Sequence, residues 1–312
     1  MSFRQKIQVI VNPASDRGRT KKRWQRIKEA LRHFFQEFSY TFTEKPAQAT
    51  EISRAAVKEG TELIVGVGGD GTINEIANGF FEENNLINKE ATLGIIPSGT
   101  GCDFIKSLNI PLNLRRAIET IIQATTKKID VGLLRFTSFS GSKKERLFIN
   151  VGDFGIGGEV VAHMEKFGRQ RKASSYFRSL LQSFFHYQNK KLRIILDDQE
   201  LPSGEYLAGA IANGRVFGKG MKIAPHANLD DGLFDVILVK GMKTFEFLRH
   251  VWRIYLGNHL SHPKIDFHRA KKVKVYPVNE KEPVLIEIDG EVIGLLPASF
   301  EIVPRILPVK GN

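Results

Sequence analysis

Five residues, Gly68-Gly69-Asp70-Gly71-Thr72, stand between an apolar run at residues 63–67 and a helix-like segment at 73–81. Glycines at a strand-to-helix turn let the backbone close in on a phosphate, and the free N–H groups opening the helix then face the anion. Two other segments repeat the arrangement. Asn12-Pro13-Ala14-Ser15-Asp16 follows the strand-like residues 7–11, and Pro97-Ser98-Gly99-Thr100-Gly101 follows the strand-like residues 93–96. Each taken singly is an ordinary turn leading into a helix cap. Three of them, each at the carboxyl end of a strand in a parallel sheet, point to one shared nucleotide site, because ligands of open α/β sheets bind at that edge.

Gly66, Gly68 and Gly71 also spell G-x-G-x-x-G, the pattern of a dinucleotide fold. That fold needs an acidic residue at the end of the next strand to hold a ribose, and here the strand ends in Ile96-Pro97-Ser98. A Walker A loop is also missing: Gly141-Ser142-Lys143 lacks the upstream glycine. Asp70 has two readings. It can hydrogen-bond local backbone as turn aspartates do. Among phosphate-binding amides a carboxylate repels the nucleotide unless Mg²⁺ lies between them, which favours a metal role, direct or through water.

Acidic residues recur near the C-terminus. Residues 286–291 read Ile-Glu-Ile-Asp-Gly-Glu, so Glu287, Asp289 and Glu291 share one face if the strand stays regular. Solvated edge charges are the plain reading; a turn or bulge at Gly290 would re-aim Asp289, and an Asp suits as base for a substrate alcohol. Asn228-Leu229-Asp230-Asp231-Gly232 is a turn whose carboxylates and carbonyls also suit a hard cation. The stretch 166–191 is basic and aromatic, with Arg169, Arg171, Lys172, Arg178, Lys190 and Lys191 around Tyr176, Phe177, Phe184, Phe185 and Tyr187. It reads either as a core-facing helix with a solvated basic face or as a mouth resting on anionic headgroups. Nucleic acid wants the same ingredients, but no nucleic-acid motif accompanies them, so the membrane reading is preferred. The eight histidines match no zinc template.

The elements that must position these groups change character along the chain. Residues 1–126 alternate apolar strands (7–11, 63–65, 93–96) with helices, including a basic amphipathic one carrying Trp24, Ile27, Leu31, Phe34, Phe35 and Phe38. That alternation predicts an α/β domain on a largely parallel sheet. Residues 127–312 read as successive strands (129–136, 147–151, 192–196, 206–212, 234–239, 273–276, 284–288 and 300–303), predicting an antiparallel β-sandwich with helical insertions at 174–187 and 244–256. The active site is then expected in a cleft between the two domains, with the last residues packing back on the first.

A chain of 312 residues with 42% hydrophobic content can build this core, and its formal net charge of +12 favours anionic partners. Cys102 is the only cysteine, so an intramolecular disulfide is excluded and a reducing cytoplasm fits. Met1 to Lys6 leads straight into the strand at 7–11 without an apolar leader, which argues against a signal peptide. No stretch approaches the roughly 18 uninterrupted apolar residues that span a bilayer.

At these motifs the sequence resembles the diacylglycerol kinase catalytic-domain family, which includes soluble bacterial lipid kinases and sphingosine kinases and is more distantly related to NAD kinases and phosphofructokinases. The resemblance runs through Val11-Asn12-Pro13, Gly68 to Glu75, Pro97-Ser98-Gly99-Thr100 with Asp103-Phe104, Asn228 to Gly232 and Ile288-Asp289-Gly290-Glu291. It implies that ATP is lined by Asn12, Pro13, Ala14, Ser15, Asp16, Thr43, Gly68, Gly69, Asp70, Gly71, Thr72, Ile73, Asn74 and Thr100. It implies that Asp231 holds a structural Mg²⁺ with the carbonyls of Asn228 and Leu233, that Asp289 is the general base, and that Glu291 belongs to its acidic network. Ala14-Ser15-Asp16-Arg17-Gly18 and Gly101-Cys102-Asp103 depart from the commonest family pattern. The expectation is an ATP- and Mg²⁺-dependent cytoplasmic kinase of a lipid alcohol, such as diacylglycerol, in peripheral contact with an anionic membrane. Nucleic acid is not expected as a partner, and a homodimer is compatible. A small-molecule kinase acting on NAD and a non-catalytic lipid-binding protein are the alternatives.

Overall fold

The computed structural model describes residues 6–167 and 187–312. The chain divides into two compact units, one of Met1–Val131 with Leu229–Asp231 and Val303–Asn312, the other of Gly132–Asn228 with Gly232–Ile302.

The first unit contains β1 (Ile7–Val11), α1 (Arg19–Phe34), β2 (Ser39–Phe42), α2 (Gln48–Lys58), β3 (Leu63–Gly68), α3 (Asp70–Gly79), the two-residue strands β4 (Phe81–Glu82) and β5 (Asn85–Leu86), β6 (Thr92–Pro97), α4 (Phe104–Ser107) and α5 (Leu114–Gln123). β1 lies parallel between β2 and β3, β6 runs parallel to β3, and Val309 pairs in parallel with Leu93 of β6. β3 is buried along its whole length, which is why it reads as a continuous apolar run rather than an alternation. Trp24, Ile27 and Leu31 of α1 pack on Val9, Val11 and Val65 together with Ile118 and Ile121 of α5. Ile73 and Ile76 of α3 press on Gly66, where an added Cβ would lie 2.7 and 2.8 Å from their Cδ1 atoms. The first glycine of the dinucleotide-like pattern is therefore a packing position inside a strand.

The second unit holds β7 (Thr126–Thr137) from Gly132 onwards, β8 (Lys143–Phe148), β9 (Val151–Gly155), α6 (Ile156–Phe167), β10 (Lys190–Leu196), β11 (Gln199–Glu200), β12 (Gly204–Ala212), β13 (Phe234–Lys240), α7 (Thr244–His250), α8 (Trp252–Leu256), β14 (Ile265–Ala270), β15 (Lys272–Pro277), β16 (Leu285–Ile288) and β17 (Glu291–Lys310) as far as Ile302. Its pairings are antiparallel: β12 joins β9, β10 and β13, and β16 lies between β9 and β17. Phe148, Phe154, Phe234 and Phe300 are fully buried at its centre, Phe148 stacked on Phe234 at 5.7 Å and edge-on to Phe300 at 6.1 Å. Burying one such side chain contributes about 1.5–3 kcal/mol.

The α/β part followed by a β-rich part is the expected fold, with local differences. The strand expected at 147–151 breaks at Ile149-Asn150, because both amides are taken by a side chain described below. The helix expected at 244–256 is two short helices, and the strand expected at 300–303 is a piece of the 20-residue β17. β2 escaped notice because its side chains are mostly exposed, although Tyr40 and Phe42 sit against Trp24 at 5.0 and 5.5 Å. The expected helix at 174–187 and most of the basic-aromatic stretch lie outside the described residues; Tyr187, Lys190 and Lys191 lie within them.

Candidate active site

The three glycine-containing loops are bound to one another. The Asn12 side-chain amide donates to Thr72 Oγ1 at 2.9 Å, and the Asn12 backbone amide to the Val67 carbonyl at 3.0 Å. Ser15 Oγ lies 3.2 Å from Thr20 Oγ1, which in turn lies 2.6 Å from Ser98 Oγ and donates to the Ser98 carbonyl at 3.0 Å. The Ser98 amide donates to Gly68 O at 2.8 Å. Gly69 and Gly99 meet backbone to backbone: a Cβ on Gly99 would lie 2.4 Å from Gly69 Cα. Around Gly71 an added Cβ meets nothing within 4 Å, so space opens at the start of α3, where a helix N-terminus offers its N–H groups.

Asp70 fastens two of these loops. Its Oδ2 accepts the Asp103 amide and its Oδ1 the Phe104 amide, both at 3.0 Å. Burial raises its pKa, and the two amides partly offset that rise. Glu75 does the same for α2, accepting the amides of Ala47 at 3.0 Å and Ala49 at 3.2 Å. The acidic residues of this motif thus act as backbone clamps whatever else they bind. Cys102, buried beside Asp70, accepts the Gly99 amide at 3.2 Å, and burial pushes its thiol up to about 11.

The expected nucleotide residues stand in several settings. Asn12, Ser15, Gly68, Gly69, Asp70, Gly71 and Thr72 belong to the connected loops, Pro13 and Ala14 lie within the first of them, and Thr43 joins by donating its amide to Val11 O at 2.9 Å. Thr100 is exposed at the tip of the third loop. Ile73 and Asn74 are buried: Ile73 packs on Gly66, and Asn74 Oδ1 accepts from Asn78 at 3.1 Å. Asp16 and Arg17 have φ of 49° and 57° before Gly18 at 79°, and the Asp16 carboxylate pairs with Arg23 at 3.3 Å and Arg19 at 3.7 Å.

In the second unit, Asp289 and Gly290 form a two-residue hairpin with φ of 48° and 92°, the turn that Asp-Gly favours. The regular strand face is therefore broken, and the three acids part company. Glu287 is buried, Asp289 is half-buried, and exposed Glu291 pairs with Arg146. The Asp289 carboxylate accepts three amides, Ile149 at 3.0 Å on Oδ2 and Asn150 at 3.1 Å and Val151 at 2.9 Å on Oδ1. Its own amide donates to Val151 O at 3.0 Å. Asn150 and Asn213 brace that corner from below, through the Val216 and Ile149 carbonyls.

Sequence reasoning missed Asp130 and Asp153. Asp130 is wholly buried in the first unit; its amide donates to Leu229 O at 2.6 Å, and its Oδ1 accepts the Arg305 amide at 2.7 Å. It therefore anchors the turn that carries Asp231. The signal was a lone carboxylate inside the largely apolar strand run 129–136. Among the described residues no group of three or more His, Cys, Asp or Glu side chains stands as a metal cluster. The expected Mg²⁺ set of Asp231 with the Asn228 and Leu233 carbonyls is of another kind, one carboxylate and two carbonyls. Its all-oxygen chemistry fits a hard cation. His259 is buried with its ring nitrogen 2.9 Å from Ile223 O, a packing role.

Comparison with known proteins agrees with this architecture. The diacylglycerol kinase catalytic domain matches residues 6–134, and the YegS C-terminal NAD kinase beta sandwich-like domain matches residues 150–311. A diacylglycerol kinase of Staphylococcus haemolyticus is 31% identical over 303 residues, covering 96% of this chain and 86% of that one, and a diacylglycerol kinase of Bacillus subtilis is 29% identical over 297 residues, covering 95% and 92%. A crystal structure of a diacylglycerol kinase from Bacillus anthracis superposes with a TM-score of 0.71 at 21% identity, covering all of this chain and 98% of that one. An NAD kinase from Archaeoglobus fulgidus in complex with ATP shares the fold at a TM-score of 0.52 and 13% identity, covering 98% and 94%. The chain belongs to the diacylglycerol kinase family, and is an enzyme of the lipid-kinase class.

Proposed function

We propose that this kinase transfers the γ-phosphate of ATP to the hydroxyl of a lipid alcohol, diacylglycerol foremost, giving phosphatidic acid and ADP. The observation that carries the reading is the bonded set of three loops at the carboxyl ends of parallel strands, with open space at Gly71 before α3. Such a set presents backbone N–H groups to phosphates and needs no covalent step. Asp289 orients the lipid hydroxyl and takes its proton as the oxygen attacks the γ-phosphorus and the bond to ADP breaks. Three amides fix its carboxylate, so little reorganisation accompanies the step. Mg²⁺, when bound, neutralises phosphate charge; Asp70 stands in the phosphate loops, and Asp231 with the Asn228 and Leu233 carbonyls would hold a structural ion.

In this reading the lipid is met from the water side; among the described residues no helix is long and apolar enough to cross a membrane. Contact with an anionic surface is supported by exposed Phe245, Trp252, Tyr255 and Leu256 on α7 and α8, beside exposed Arg249. The test is transfer of labelled phosphate from ATP to a panel of detergent-dispersed lipid alcohols with NAD included. Label in phosphatidic acid supports the reading; label in NADP alone overturns it. Sedimentation with anionic vesicles at low salt tests the surface contact.

A further inference from the structure

Asp153 of β9 and Glu287 of β16 stand directly opposite one another on paired antiparallel strands. Both are almost wholly buried, at 4% and 3% exposure. Residues directly opposite on paired strands bring their side chains together, and two buried carboxylates so placed repel unless they share a proton, since two carboxylates offer only acceptors. Glu287 Oε1 also accepts the amide of Gly290, the residue after Asp289. Glu287 thus grips the turn that carries the base while standing opposite Asp153 on the neighbouring strand.

The surroundings are built for this pair. A Cβ on Gly157, at the start of α6, would lie 2.5 Å from Asp153 Oδ1, so only glycine leaves room for that carboxylate. Asp153 Oδ1 itself has no hydrogen-bond partner. Apolar residues of similar volume would be at least as stable in such a place. Two buried acids therefore point to a role beyond packing.

We propose that Glu287 and Asp153 form a one-proton pair that positions the Asp289–Glu291 turn for phosphoryl transfer, with Glu287 as the positioning residue and Asp153 as the acceptor that orients its proton; this rests on the lipid-kinase reading above. With Oε1 turned to Gly290, the proton sits on Oε2 and points to Asp153. Burial raises both carboxyls, and the Asp153 charge raises Glu287 further.

The neighbours leave the pair in charge of its own proton. β12 presents Ala210 opposite Asp153, and β17 presents Val292 opposite Glu287. The Tyr187 hydroxyl lies beside Gly155 of the same strand as Asp153, its pKa pushed up by burial and by the charges of Glu159 on α6 and of Asp153. Asp289 lies at the head of the turn, and the Arg146–Glu291 ion pair lies on its exposed side. Because folding raises both pKa values and Glu287 the further, the first ionisation leaves one proton shared by the pair, and that proton is lost as pH rises through the raised Glu287 value. Losing the shared proton leaves two buried carboxylates that repel and loosen the hold on Gly290.

The test compares kcat–pH profiles of the full chain with those of Glu287→Gln, Asp153→Asn and Glu287→Ala, at temperatures where circular dichroism shows each folded. Glutamine keeps an acceptor for Gly290 and a donor for Asp153 but cannot ionise. The expected result is an alkaline fall in kcat that disappears in Glu287→Gln, and a loss of about 10–100-fold in kcat in Glu287→Ala with KM for ATP unchanged. Asp153→Asn leaves Glu287 without a carboxylate neighbour, so the fall moves to another pH. A Glu287→Gln profile superimposed on the parent's, or full turnover in folded Glu287→Ala, overturns the proposal; if Glu287→Ala does not fold, the glutamine profile alone decides. If the parent transfers no phosphate to any lipid alcohol, the lipid-kinase reading fails, and the pair is then judged by infrared spectroscopy. A protonated-carboxyl C=O band present in the parent and absent in Glu287→Gln supports the pair; an unchanged band overturns it.

Discussion

Gly69 and Gly99 face each other so closely that a methyl group on Gly99 would lie 2.4 Å from Gly69 Cα. The contact is backbone against backbone, so no side-chain rotation relieves it. Gly99→Ala must therefore part the second and third loops. Overpacking of this kind costs about 1–3 kcal/mol. Urea denaturation is expected to show that loss, and a fluorescent ATP analogue is expected to bind more weakly.

Asp70 bridges the same loops through two amides, and asparagine replaces one of its acceptors with a donor. Asp70→Asn then sets an NH₂ against a backbone N–H, with a stability loss of about 1–3 kcal/mol. Labelled-phosphate transfer should fall with it. Unchanged denaturation and unchanged transfer would together dismiss the clamp.

Much of this was legible in the sequence, and what was not has physical causes. Residues 63–67 and 93–96 announced themselves because strands buried on both faces cannot carry polar residues. The turn at Asp289-Gly290 was signalled by its composition, but its consequence was not, since the three amides that Asp289 gathers come from 149–151, far away in sequence. The opposition of Glu287 to Asp153 is a matter of strand register, which alternation alone does not fix between strands so far apart in sequence. The sequence allows Asp70 a local backbone bond or a metal role; that its backbone partners are the distant amides at the start of α4 depends on how two loops fold together. β2 stayed hidden because an exposed edge strand lacks the apolar run that marks a buried one.

Cys102 is buried, with its thiol pushed up to about 11 by desolvation and by Asp70. The folded state thus keeps the thiol proton longer than the unfolded chain, whose thiol titrates near 9.0. Stability is expected to hold steady below that value and to decline as pH rises from 9 towards 11. Cys102→Ala should remove this component from a pH series of thermal unfolding. In the native protein iodoacetamide should label Cys102 far more slowly at pH 8 than in denaturant.

The central claim is that a carboxylate fixed by three amides serves as the base for a lipid hydroxyl. Its most direct test is transfer of labelled phosphate from ATP to diacylglycerol by Asp289→Asn, with ATP binding and thermal unfolding measured on the same sample. The account predicts a fall in kcat of about 10²–10⁴-fold with ATP affinity retained in a folded protein. Turnover within a few-fold of the parent's would contradict it.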